Sequence, residues 1–185
     1  TDWNIESVTT ITHMFYDCSL LGASTNLDFT KWAGKLKKVT SLSNLFYGCQ
    51  YITGKGVEQW LLDKNHKITS LESLFAGCTR FNADLTAWHV DNVENFFGLF
   101  NNCASYDGRG IAKWKVDKAV SMGVMFRNCK NMKEDLKDWN VSKVKNMQGM
   151  FVNCHKLKTD FSKWNVGSCT NFREMFYGCS SFNGD

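Results

Sequence analysis

The spacing of apolar residues changes within each stretch between successive tryptophans. After Trp139, apolar residues recur every three or four positions, as on one face of a short helix or 3₁₀ segment. Ser142 stands just ahead of this segment and can cap it. The stretch from Leu157 to Trp164 is shorter and mixed, which is typical of a strand or extended segment. Each unit is therefore predicted to contain a strand, a turn and a short helix.

This unit repeats along the whole chain. Tryptophans follow each other at intervals of 25 to 29 residues, and a Met-Phe or Leu-Phe pair stands just before a cysteine in every copy. One unit cannot bury its apolar face alone, whereas stacked units share a continuous core. We therefore expect residues 1–185 to form a single solenoid domain of about seven repeats of 25–29 residues, as a fragment of a longer repeat protein.

The sixth copy carries the motif in its most complete form, W-x-V-x-x-V-x-x-M-x-x-M-F-x-x-C-x-x-Φ-x-x-D-Φ-x-x-W. The motif resembles that of the BspA-like leucine-rich repeat family, in the variant found in mycoplasma-type bacterial surface lipoproteins. Its residues in this chain are Trp139, Val141, Val144, Met147, Met150, Phe151, Cys154, Leu157, Asp160, Phe161 and Trp164.

The resemblance implies a right-handed solenoid with a parallel sheet on one face. Together with the helical spacing, it predicts an α/β leucine-rich-repeat-like superhelix with short helices on the other face. It also implies an adhesion or protein-binding role outside the cell or at its surface, with any signal and anchor outside this sequence. The chain departs from the motif through insertions at 22–27, 33–38 and 61–67, where we expect loops.

Composition fits a folded, water-exposed domain. Apolar residues make up 43% and charged residues 22% of the chain, which excludes disorder as the default. No apolar run approaches ~18 residues, so we expect no transmembrane segment. The net charge is +4, but residues 113–163 hold 12 Lys and Arg against 5 Asp and Glu. Such a surface suits anionic glycans, acidic proteins or nucleic acid, or else is only a solvated face.

Tryptophan and cysteine form recurring columns that we predict to be structural. Eight cysteines in a surface protein can indicate disulfides, but seven equivalent positions cannot all pair among themselves. A ladder of buried free thiols is the favoured interpretation. The columns are represented by Trp88, Trp114, Trp139, Trp164, Cys78, Cys103, Cys129 and Cys154. A further column alternates Asp and Gly, which favours a structural turn over a calcium site.

No reactive constellation stands out in the sequence. The four histidines occupy different columns, and no catalytic, phosphate-binding or dinucleotide-binding fingerprint is present. No C-x-x-C pair suggests zinc. We therefore predict no enzyme activity, no cofactor and no metal site.

The candidate binding positions lie between the apolar residue after each cysteine and the next tryptophan. Alternating side chains of a strand would place them outward. They are Asn82, Thr86, Arg109, Lys133, Lys137, Lys158 and Ser162. We expect contact with a host or neighbouring-cell protein or an anionic glycan, no specific nucleic acid, and possible end-to-end self-association. The alternative is a structural spacer or coat element without a ligand.

Overall fold

The computed structural model describes residues 3–25 and 27–184. Within them the chain winds into a stack of coils, each running from one tryptophan to the residue before the next. Coil 1 begins at Trp3 and coil 7 at Trp164. Coils 2 to 7 are joined by parallel bridges of one residue pair each, through Ser41, Ser70, Asn95, Ser121, Asn146 and Asn171.

The predicted right-handed α/β superhelix, with a parallel sheet on one face and short helices on the other, is wrong. The described residues contain no α-helix and no strand longer than an isolated bridge. Their only helices are two 3₁₀ helices of three residues, Thr30–Trp32 and Val57–Gln59. The stretch from 157 to 164, predicted as a strand, is turn and irregular chain.

The helix-like spacing arises from a chain of turns. In coil 2 the Leu45 N–H donates to Leu42 O, and the Cys49 N–H donates to Phe46 O, each closing a four-residue turn. Alternate amides leave the coil: the Asn44, Phe46 and Gly48 N–H groups donate to Glu72 O, Leu74 O and Ala76 O of coil 3. An α-helix would keep all these bonds within one segment. Residues three or four apart still share the inward face, so the apolar pattern mimics a helix.

Left-handed backbone makes these turns possible. In coil 2, Asn44 has a φ of 57° and Gly48 a φ of 74°. Each following coil repeats a positive φ at both equivalent positions, mostly with Gly or Asn, which tolerate it best. Val124 is an exception, since a β-branched residue there has a φ of 48°.

Stacked aromatic rings fill the interior. One phenylalanine from each coil stacks on its equivalents, with ring centroids 5.6 to 6.0 Å apart and planes within 15° of parallel. These residues are Phe15, Phe46, Phe75, Phe100, Phe126, Phe151 and Phe176. The rings of one coil cover those of the next, and a single hydrophobic cluster runs from Ile5 to Met175.

The tryptophans add a hydrogen bond to this packing. The indole N–H of Trp139 donates to Ile111 O at 2.9 Å, and Trp88, Trp114 and Trp164 make the equivalent bond. All four rings are buried. Trp3 is half exposed, and the buried Trp32 Nε1 has no acceptor among the described residues.

Candidate binding surface

The predicted binding residues lie in the segments that precede each tryptophan in the sequence. Asn82 is half-buried and accepts the Asp107 N–H through Oδ1. The other predicted binding residues are exposed: Thr86, Arg109, Lys133, Lys137, Lys158 and Ser162. Nothing in the structure tests whether these seven residues bind a ligand, so that assignment stays a prediction.

Carboxylates lie among the basic residues of this surface. Lys133 Nζ lies 3.5 Å from Asp107 Oδ2, and Arg109 approaches the same carboxylate at 3.8 Å. Lys137 Nζ lies 3.2 Å from Asp135 Oδ2, and this hydrogen bond raises the pKa of Lys137. The surface is therefore mixed in charge rather than uniformly basic.

The Asp column forms turns. Asp84 Oδ1 accepts the backbone N–H of Thr86 at 2.9 Å and its hydroxyl at 2.6 Å. Asp160 accepts the Ser162 N–H in the same way. These bonds hold the pKa of both carboxyls below the ordinary value of 3.8. Gly56 and Gly110, at the equivalent positions, have φ near 90°, and a Cβ there would collide with backbone of the neighbouring coil.

A second surface lies around the cysteine turn of each coil. We call it the amide face and define it as the outward residues of segments 47–51, 76–80, 101–105, 127–131, 152–156 and 177–181. These segments hold none of the 18 Asp and Glu residues of the chain. The equivalent segment of coil 1, residues 16–20, holds Asp17. The face instead presents amides, hydroxyls, phenols and cations.

Hydrogen bonds hold the segments of the amide face side by side. The Asn102 N–H donates to Arg127 O at 2.7 Å, and the Asn128 N–H donates to Val152 O at the same distance. The side chains form a parallel ladder, in which Asn128 Nδ2 donates to Asn102 Oδ1 and Asn153 Nδ2 donates to Asn128 Oδ1. Equivalent side chains of successive coils therefore form rows along the stack.

A depression of about 380 Å³ opens on the amide face above this ladder. Asn102, Asn128 and Asn153 line it together with Thr79, Ala104 and Lys130. Ala104 stands in a row that otherwise carries Gln50, Thr79, Lys130, His155 and Ser180. The shorter side chain leaves the space that longer residues would fill.

Sequence reasoning missed the amide face because it assigned the residues before each cysteine to a short helix and placed the binding surface on the predicted strand. Its signal is nevertheless readable in the sequence. When the copies are aligned on their cysteines, the two positions before and the two after each cysteine carry no acid in copies two to seven. The total charge over residues 113–163 does not reveal this absence of acids, because the total includes residues from every face of the coil.

The inserted loops enclose a smaller cavity. It measures about 170 Å³ and lies between segments 33–38 and 61–67. His66 lines it but is buried, with Nε2 2.6 Å from His89 O and Nδ1 accepting the Ile68 N–H. Both ring nitrogens are thus used within the protein. Of the third insertion, 22–27, Asn26 lies outside the described residues.

The cysteines form a ladder of free thiols. Cys129 Sγ donates to Phe100 O at 3.0 Å, and Cys78, Cys103 and Cys154 make the equivalent bond to the preceding turn of the stack. All four are fully buried and unpaired, and burial raises their pKa above the ordinary thiol value of 9.0. Each phenylalanine carbonyl accepts both this thiol and a backbone amide.

The described residues contain no group of three or more His, Cys, Asp or Glu placed to hold a metal ion. Among residues 3–25 and 27–184, no helix has the length and apolar character needed to cross a bilayer.

Three overlapping segments of the chain match one protein family, described as "Mycoplasma protein of unknown function, DUF285". The segments are residues 1–60, 21–109 and 98–185, which together span the sequence. The chain belongs to the DUF285 family. This match supports the resemblance to mycoplasma proteins. It does not extend to the narrower assignments as BspA-like or as a lipoprotein. No curated protein matches the sequence of this DUF285 member.

One solved structure similar to this DUF285 chain is that of a leucine-rich repeat protein from T. pallidum. The two share 16% sequence identity over 78% of this chain and 72% of that chain, with a TM-score of 0.35. The likeness to a leucine-rich repeat protein is therefore weak and carries no argument about fold or ligand.

Proposed function

We propose that this DUF285 chain is a non-enzymatic, adhesion-type binding module whose ligand lies along the amide face. The observation that carries the proposal is the distribution of acids: six adjoining segments of the stack hold none of the 18 carboxylates. A surface whose only task was to remain solvated would need no such segregation of charge.

The repetition of the amide face supports a long ligand. Equivalent positions line up in rows across six coils, and one row carries asparagine in three successive coils, so a partner with a repeating structure can make the same contact several times. Weak contacts made together give much tighter binding than any one of them. Amides and hydroxyls both donate and accept hydrogen bonds, which suits a glycan or a polar protein segment. An adhesion role would place the module outside the cell, and that location stays a prediction.

Binding should be measured with the intact chain immobilised for biolayer interferometry against a panel of glycans and extracellular-matrix proteins. The test variant adds carboxylates to the amide face through Gln50→Glu, Ser105→Glu and Lys130→Glu. The control makes the same change in net charge on another exposed row through Thr40→Glu, Thr69→Glu and Lys145→Glu.

We expect a ligand that the control variant retains and the amide-face variant loses. If both variants bind as the natural chain does, the ligand site lies elsewhere. If no member of the panel binds the natural chain, the spacer alternative replaces the binding module.

A further inference from the structure

We propose that the amide face binds an acidic polysaccharide, a chain of sugars bearing sulfate or carboxylate groups, which runs along the stack past Arg127, Lys130 and Lys156. This inference rests on the proposed binding function and names the chemical class of its ligand.

The cations of the amide face are available to an anion. Arg80, Arg127, Lys130 and Lys156 are exposed, and none forms an ion pair with a described residue. Lys156 Nζ donates to the neutral amide of Asn131, and Arg80 lies 4.5 Å from the Tyr51 ring centroid. Such partners hold a cation in place without neutralising it.

The surface predicted from the sequence contrasts with this one. There, Lys133 and Lys137 each lie within 4 Å of a carboxylate, so an incoming anion would have to compete with Asp107 or Asp135. Of the 12 basic residues in 113–163, these two are the only ones that pair with a described acid.

The depression beside these cations suits a sugar ring. Asn128 and Asn153 each use one amide hydrogen within the ladder, and a primary amide carries two, so each retains a second donor for a ligand. Sugar hydroxyls need donors and acceptors side by side, and the ladder with Thr79 supplies both. The Phe100, Phe126 and Phe151 rings repeat every 5.7 to 5.8 Å, so successive coils present their amide-face residues at a similar step.

A nucleic acid fits the depression less well. Single strands bind by stacking their bases on exposed aromatic rings. The tyrosines of the amide face belong to coils 2 and 7, in Tyr47, Tyr51 and Tyr177, whereas the depression is lined by amides, a hydroxyl, Ala104 and Lys130. The charge and the hydrogen-bonding groups together therefore favour an acidic sugar polymer.

The test uses the intact chain and defined polymers: heparin, chondroitin sulfate, neutral dextran, oligo-dT and poly-glutamate. The variant Arg127→Gln, Lys130→Gln, Lys156→Gln removes three cations of the amide face. The control Lys118→Gln, Lys143→Gln, Lys145→Gln removes three exposed cations that lie outside the segments of the amide face. Urea unfolding of all three proteins checks that their folds are equally stable.

We expect one of the sulfated polymers to bind, and the amide-face variant to raise its Kd about tenfold or more, while the control changes it about twofold at most. Added salt should weaken binding to the natural chain and have less effect on the variant. A further variant, Ala104→Gln, fills the depression without changing charge and should also weaken binding.

Two outcomes would overturn the inference while leaving the proposed function intact: dextran binding as tightly as heparin, or oligo-dT or poly-glutamate binding more tightly than either sulfated polymer. Equal weakening of binding by the two triple variants would overturn the inference and also place the ligand away from the amide face. If no polymer binds but a matrix protein does, the ligand class is wrong and the binding module stands. If nothing binds at all, both proposals fail.

Discussion

Individual side chains in this protein mainly bond or pack against the turn of the stack before or after them. The cysteine column is the clearest case, because the thiol donates to a phenylalanine carbonyl one turn away while the sulfur fills apolar space. A small hydrophobic residue without a hydrogen-bond donor would fill the apolar space but could not bond to the phenylalanine carbonyl.

The thiols should differ sharply in reactivity. Burial raises the pKa of Cys49 to about 12 and leaves it almost wholly protonated near neutral pH, whereas Cys18 is exposed. Because thiolate is the reactive form, iodoacetamide should label Cys18 first and spare Cys78, Cys103, Cys129 and Cys154. Mass spectrometry of the folded protein measures this. A Cys18→Ser control should remove the fastest label, and rapid modification of the four buried thiols would contradict the ladder.

Val124 adopts a left-handed backbone conformation that valine disfavours. Its φ of 48° is costly for a β-branched side chain, and the equivalent residue in coil 2 is Asn44. Val124→Asn should therefore raise the free energy of unfolding by about 1 kcal/mol, measured by urea denaturation. Val120→Asn, at an exposed position outside the left-handed region, is the matched control and should change it little. Destabilisation by Val124→Asn would show that packing of the valine outweighs strain.

At the scale of the element, the repeating unit is a run of turns closed by side chains. Asp84 and Asp160 accept backbone amides at the turn before tryptophan, and glycine serves the same turn at Gly56 and Gly110. One position thus has two chemical solutions, a capped turn or a left-handed one.

The turn carboxyls give stability a dependence on pH. The folded-state pKa of Asp84 and of Asp160 lies below 3.8, so their contribution is present above that value and is lost as pH falls through the lowered pKa. The free energy of unfolding should therefore fall below about pH 4. Asp84→Asn should flatten that fall, as followed by urea denaturation at several pH values.

Glu134 offers a control of opposite sign. Burial raises its pKa, so deprotonation of this residue opposes folding, and Glu134→Gln should steepen the acid loss. Equal pH profiles for the natural chain and Asp84→Asn would mean that the turn bond contributes nothing.

The sequence identifies the column structure of this element but not its backbone. Residues such as Leu42, Leu45, Phe46 and Cys49 do face inward, as their spacing predicts. That spacing does not show which carbonyl groups accept the backbone N–H groups, because turns and helices of similar period bury the same side chains. The left-handed residues were the available signal: Asn and Gly recur at two fixed positions before cysteine, where a helix would avoid them.

The candidate surface was only partly accessible to sequence reasoning for a related reason. Lys133 and Lys137 are exposed, as expected. Asp107 reaches Lys133 only in three dimensions, whereas Asp135 lies two residues before Lys137 in the sequence. The amide face follows from which residues lie side by side in neighbouring coils, and that depends on the register of the stack.

At the scale of the whole molecule, the aromatic stack is continuous, so a defect in one coil exposes the next. Trp139→Ala should lower the free energy of unfolding by about 3–5 kcal/mol, because it leaves a cavity and removes the indole hydrogen bond to Ile111 O. Trp139→Phe keeps most of the buried area but not the indole N–H, so it should cost less in the same urea titration. A loss under about 1 kcal/mol for Trp139→Ala would contradict burial of the column.

The hydrogen-bond ladders also determine how the molecule would carry a load. Bonds between coils join positions about one turn apart, so tension between the two ends would act on the coils in series rather than on all of them together. Each coil that unwinds would release a length of about 85 Å, from 25 residues at ~3.4 Å each. Pulled in a single-molecule experiment, the chain should lengthen in a staircase of nearly equal steps. A module built this way would respond to a sudden pulling force by unwinding and extending a few coils, while most of its coils stay folded.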